Sequence, residues 1–166
     1  MSKWIGCILI IVAGAGIGMS RSEDLKKHLE QLEELKKLFY LLRSELAYTK
    51  APFAEVFEKL EYKVASPFRE WLLCMRGKLV GRQTGSFWEI WRSTISEKLT
   101  KSKLKEEDLE ELRNVGKNLE YIENIDLYIQ QLEYKITQIR QSYQTKRKLC
   151  RSLGIMGGIF LVILLL

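Results

Sequence analysis

The sequence predicts an all-α protein, a compact helical bundle flanked by N- and C-terminal transmembrane helices. Three observations predict it. Apolar residues recur every three or four positions over 25–46 and again over 119–143. No run alternates apolar and polar residues with period two, and only two prolines occur, both where helices are expected to begin. Charge is excluded from the ends: residues 4–19 and 153–166 carry none, whereas every acidic residue lies between Glu23 and Glu133. A chain of 166 residues divided in this way holds one soluble core rather than two.

Residues 1–20 form the expected first membrane helix and 152–166 the second, bracketing a cytoplasmic helical domain at 21–151. The first apolar run, WIGCILIIVAGAGIGM, covers roughly 24 Å at ~1.5 Å per helical residue, a little short of a hydrocarbon core of ~30 Å. A cleaved secretory signal with Ala13-Gly14-Ala15 at its end competes with this reading. A second apolar run closing the chain and a charged helix following Arg21 argue against cleavage. The second run, LGIMGGIFLVILLL, is marginal alone and is expected to borrow Cys150 to Ser152.

Orientation follows from the basic flanks. Arg21, Lys26 and Lys27 follow the first run, and Lys146, Arg147, Lys148 and Arg151 precede the second, against Lys3 alone outside. Both flanks place the middle domain in the cytoplasm and both termini on the far side. Cys7, Cys74 and Cys150 then lie in membrane, cytoplasm and interface, and imply no disulfide framework.

Gly14 and Gly18 are four apart, as are Gly154 and Gly158, so each membrane helix offers a small-residue face for another helix, including one from a second copy of the chain. Glycine is also simply common in membrane helices, and both readings stand. The run ILIIVAGAGIG resembles a strand entering a phosphate-binding turn, but Met19 stands where the dinucleotide fingerprint needs glycine, and a charged helix follows instead of a second strand.

Within the domain, Leu25, Leu29, Leu32, Leu35, Phe39, Leu42 and Leu46 trace one face of a long helix. Ser20 and Glu23 have capping-box spacing, unless the helix runs unbroken out of the membrane. Pro52 opens a short helix with Phe53, Val56, Phe57 and Leu60 on one face, and Ser66-Pro67 supplies a cap and first-turn proline for a third, with Trp71, Leu72 and Met75 inward. Gly77, Gly81 and Gly85 loosen the chain before Ser86, which forms a capping box with Glu89 and starts a fourth helix through Ile90, Trp91, Ile95 and Leu99. Asp108 to Val115 makes a turn or two that Gly116 ends. The last helix carries Ile122, Ile125, Ile129, Leu132, Ile136 and Ile139 and continues toward the membrane. The first and last long helices are expected to pack antiparallel with their seams buried inside the domain; the alternative is that one seam faces another subunit.

Little chemistry is on offer. His28, the only histidine, lies one position before Leu29 beside Lys26 and Lys27 and reads as a solvated surface residue. The acidic clusters Glu33-Glu34 and Glu106-Glu107-Asp108 read as exposed helix faces. There is no P-loop and no nucleophile motif, so the sequence asks for no catalytic residue, no metal and no cofactor. The charge balance says more. Arg76 to Lys105 holds eight basic residues against Glu89 and Glu97, equal to the whole chain's net +6, together with Phe87, Trp88 and Trp91. Arg76, Lys78, Arg82, Trp88, Arg92, Lys98 and Lys101 are the candidates for binding an anionic lipid surface or an acidic protein; nucleic acid fits such a stretch less well beside a membrane. The plainer reading keeps Trp91 in the core, Trp88 half exposed and the lysines as a solvated face.

Taken together, the opening WIGCILIIVAGAGIG, ELAYTKAPFAEVFEKL with Tyr48 and Pro52 four apart, DLEELRNVGKNLE around Gly116 and the closing RSLGIMGGIFLVILLL resemble the stage III sporulation protein AB family of endospore-forming bacteria. The resemblance covers nearly the whole chain and departs from the family at Glu120, where glycine is usual. It implies a place in the channel complex between mother cell and engulfed forespore, in the forespore's outer membrane, as a component of a sporulation machine. It also implies a domain similar to the cytoplasmic domain of the platform protein of type II secretion and type IV pilus systems, with the ATPase-like stage III sporulation protein AA and other channel components as partners. A membrane-tethered coiled-coil adaptor or scaffold is the competing class; it predicts elongated dimers joined through the seams, whereas the platform predicts both seams buried in one chain.

Overall fold

The computed structural model describes the backbone at residues 2–49, 51–81, 85–119 and 121–165, and side chains at 23–49, 51–81, 85–119 and 121–145. Its elements are α1 (Ser2–Tyr48), α2 (Phe53–Leu60), α3 (Phe68–Val80), α4 (Phe87–Lys98), α5 (Glu106–Val115), a 3-10 turn at Gly116–Asn118, and α6 (Ile122–Leu165). All six helices match expected ones. The capping-box spacing at Ser20 starts nothing, because α1 runs unbroken past it from Ser2. Among the described residues no helix is long and apolar enough to cross a membrane. The two charge-free end segments, with Gly14, Gly18, Gly154 and Gly158, lie outside the residues whose side chains are described, and Arg82 and Glu120 lie outside the described residues altogether.

Two long helices form the spine. Leu32, Leu35, Phe39 and Leu42 of α1 are buried, as are Ile125, Ile129, Leu132 and Ile136 of α6. Glu33 pairs with Arg140, Lys36 with Glu133 at 3.8 Å, and Arg43 with Asp126. Numbers rising along one helix and falling along the other define an antiparallel pair, and its seam is closed within a single chain.

The short helices cover the remaining side of α1. Pro52 precedes α2 and lacks the N–H that a first turn leaves unbonded anyway, so it costs nothing there. At α3 the expected cap is corrected: Pro67 itself occupies the N-cap position, and the Ser66 hydroxyl donates to Glu70 Oε2 at 2.8 Å instead of capping the backbone. Ser86 does cap α4, accepting from the Glu89 N–H while Glu89 Oε2 accepts from the Ser86 N–H at 2.9 Å. An aromatic row joins these helices: Phe53 stacks on Phe87 at 4.7 Å, Phe87 lies 5.8 Å from Trp91, and Trp91 meets Trp71 edge-on at 4.8 Å. The Trp71 indole N–H donates to Thr94 Oγ1 at 3.1 Å, so the ring is buried without stranding its one donor.

Candidate docking surface

Helix α4 turns Ile90, Trp91, Thr94 and Ile95 inward, and on its flank, four residues apart, lie Trp88, half-buried and packed against the core, and the exposed Arg92. Trp91 is fixed from several sides. Besides its two aromatic neighbours, its indole N–H donates to the Leu112 carbonyl at 2.9 Å, tying α4 to α5. The chain leaving α5 then passes directly over this ring. A Cβ placed on Gly116 would lie 2.2 Å from Trp91 Cδ1, so only glycine permits the approach. Gly116 does follow the end of α5, as expected, but its φ is −59°, and its role is close contact rather than a left-handed cap. One residue on, Lys117 reaches over the half-buried Trp88 with Nζ 5.1 Å from the ring centroid, a cation–π distance. Sequence reasoning missed Lys117, whose only signal is its place beside Gly116.

The basic stretch of the sequence is therefore divided. Arg76 bridges Glu58 at 3.0 Å and Glu61 at 3.4 Å across α2 and α3. Lys78 and Lys98 both hold Glu97, each at 3.0 Å, and this pair of cations, Lys78 foremost, lowers the Glu97 carboxyl from 4.5 to about 2. These three cations are neutralised by their own chain. Arg92 and Lys101 are exposed and make no ion pair with a described residue. Lys103 turns toward the start of the domain, its Nζ 3.1 Å from Asp24 Oδ1 and its backbone N–H donating to Gln31 Oε1 at 2.6 Å.

Two residues read as solvated are not. His28 is only 4 % exposed and Asp108 2 %. His28 Nε2 lies 2.7 Å from Asp108 Oδ2, which also accepts from the Lys105 N–H at 2.8 Å; Lys135 Nζ donates to Asp108 Oδ1 at 2.8 Å and to Glu111 Oε2 at 2.6 Å. Burial pushes the Asp108 carboxyl up, but the bonds from His28, Lys135 and Lys105 outweigh it and hold the group at about 2. The physical reason for the correction is register: His28 sits four before Leu32, in line with Leu35, Phe39 and Leu42. Asp108 belongs to the first turn of α5, where a carboxylate complements the free N–H groups. The cluster locks α1, α5 and α6 together. Among the described residues, no group of three or more His, Cys, Asp or Glu could hold a metal ion.

These features define a class: an all-α bundle built on two long antiparallel helices, with its buried charges tying helices together and a small aromatic and cationic patch left outside. The chain belongs to the stage III sporulation protein AB family, whose profile matches residues 3–166. It is 22% identical over 172 aligned positions to stage III sporulation protein AB of Bacillus subtilis (strain 168), with all of both chains covered. A solved structure of stage III sporulation protein AB superposes with a TM-score of 0.65 at 18% identity, covering 71% of this chain and 97% of that one. At that identity the likeness speaks for the fold.

Proposed function

We propose that the chain is a non-enzymatic membrane platform component of the mother cell–forespore channel, a secretion-like complex needed for spore formation, and that it docks an ATPase to the membrane. In this reading residues 1–20 and 152–166 anchor it in the outer forespore membrane, and the helical domain faces the mother-cell cytoplasm. The observation that carries the reading is the closure of the α1 and α6 seams on each other within one chain, as an antiparallel pair. A tethered coiled-coil scaffold needs those seams free to join a second chain. Family membership supports the sporulation context.

The test is co-elution of the full chain, in detergent micelles, with the ATPase-like stage III sporulation protein AA, with mass followed by light scattering. A stable joint peak supports the platform. An elongated dimer indifferent to that protein would return the chain to the scaffold class.

A further inference from the structure

We infer that Trp88, Arg92 and Lys117 form a docking site for an acidic segment of a partner protein, and that this part of the basic stretch does not meet lipid. The inference rests on the membrane reading above, because that reading fixes where the bilayer lies. Arg43 pairs with Asp126 on α6, and Asn124, two residues further from the anchors, donates to the Asn118 carbonyl at 3.3 Å. Lys117 therefore stands level with Arg43, ~33 Å along α1 beyond Arg21 at ~1.5 Å per residue. With α1 upright on the bilayer the site stands several screening lengths of ~8 Å from it at physiological salt, beyond the reach of its surface potential. Lys103 stands at the opposite limit, paired with Asp24 only ~5 Å beyond Arg21.

What remains is a patch suited to carboxylates. Arg92 offers an exposed guanidinium with no ion pair to a described residue, and its planar fork takes a carboxylate through two parallel bonds. Lys117 supplies a second exposed cation already placed over Trp88. The patch is preorganised, because the Gly116 contact on Trp91 and the bond from Trp91 to Leu112 hold the 3-10 turn against α4 before any partner arrives. The neighbouring Glu89 keeps its charge and is turned toward the Ser86 N–H that it accepts from, so among the described residues Arg92 and Lys117 set two positive charges against its one. A half-buried tryptophan beside an arginine is also the composition that dominates binding energy at protein interfaces.

The experiment uses the full chain in nanodiscs of neutral lipid, with a fluorescent polyglutamate peptide as the first probe and stage III sporulation protein AA as the second. Arg92→Gln and Lys117→Gln together are expected to weaken peptide binding by at least about tenfold, with helix content unchanged by circular dichroism. Trp88→Ala should do the same, and Lys101→Gln with Lys103→Gln should leave binding intact. Equal loss from the Lys101 and Lys103 pair, or no loss from the Arg92 and Lys117 pair, overturns the inference. So does loss of binding to phosphatidylglycerol vesicles caused by the Arg92 and Lys117 changes, which would make the patch a lipid site. Should the peptide behave as expected while the ATPase-like protein binds none of the variants nor the parent, the platform reading falls and the acidic-segment site stands. Should that protein bind parent and double variant alike, the inference falls and the platform stands.

Discussion

Gly116→Ala is a one-methyl change whose sign the structure decides. At φ −59° alanine is conformationally welcome, and by chain entropy alone the substitution would stabilise by about 0.4–1 kcal/mol. The methyl has nowhere to go, however, since it would meet Trp91 at 2.2 Å from Cδ1, 2.4 Å from Nε1 and 2.6 Å from Cγ. Trp91 cannot swing aside cheaply, being 1 % exposed, edge-on to Trp71 and bonded to the Leu112 carbonyl. Overpacking costs about 1–3 kcal/mol, and loss of the indole bond adds about 1 kcal/mol. The net expectation is a loss of about 2–3 kcal/mol, or about 10 °C in melting temperature at roughly 4 °C per kcal/mol. Gly77→Ala is the matched control, because a Cβ there meets nothing within 4 Å in the last turn of α3, and it should gain about 0.5–1 kcal/mol. Thermal melts followed at the tryptophan emission band read both variants. A Gly116→Ala protein that melts with or above the parent would refute the argument that close approach, rather than chain flexibility, dictates glycine at this position.

Three further outcomes are expected. Asp108 has its carboxyl lowered from 3.8 to about 2 in the folded state, so it contributes about 2 kcal/mol above the unfolded value that fades as pH falls from about 4 to 2; urea titrations across that window should show a steeper acid loss for the parent than for Asp108→Asn. Arg76→Glu removes the cation from Glu61, which is 2 % exposed, and should destabilise by about 2 kcal/mol in chemical denaturation, whereas Lys101→Glu, exposed and unpaired with any described residue, should leave the curve unmoved. Gly14→Leu and Gly158→Leu should reduce crosslinked oligomers of the full chain in membranes if the small-residue faces pack helices; crosslinking equal to the parent would reduce those glycines to ordinary membrane composition.

The helices were legible because burial on a bundle is a stripe, and a stripe repeats. Leu32 to Leu42 and Ile125 to Ile136 announce their inner faces by spacing alone, and Pro52 and Ser86 mark starts through local backbone chemistry. The polar interior was not legible, because it is made by partners far apart in the chain. His28 meets Asp108 eighty positions away, and Asp108 meets Lys135 from the other direction. Asp108 looked like a third member of a solvated run with Glu106 and Glu107, although a helix of that phase points one of three consecutive residues inward beside Leu109 and Leu112. The basic stretch misled in the opposite sense. Counting charge along the chain merged Arg76, Lys78 and Lys98, which answer to their own carboxylates, with Arg92 and Lys101, which do not. Lys117 joins the patch only because the 3-10 turn folds back over α4, and no spacing encodes that return.

Neither long helix has a joint. Helix α1 passes from Ser2 to Tyr48 and α6 from Ile122 to Leu165 without an intervening turn, and within 23–49 and 121–145 the two are clasped by apolar side chains and by the Asp108 cluster. A domain on slack tethers would absorb a push or a twist in its linkers. Here a torque applied where Trp88 and Lys117 sit has a stiff drive shaft of two paired helices beneath it, so it is passed along α1 and α6 instead of being lost in a linker.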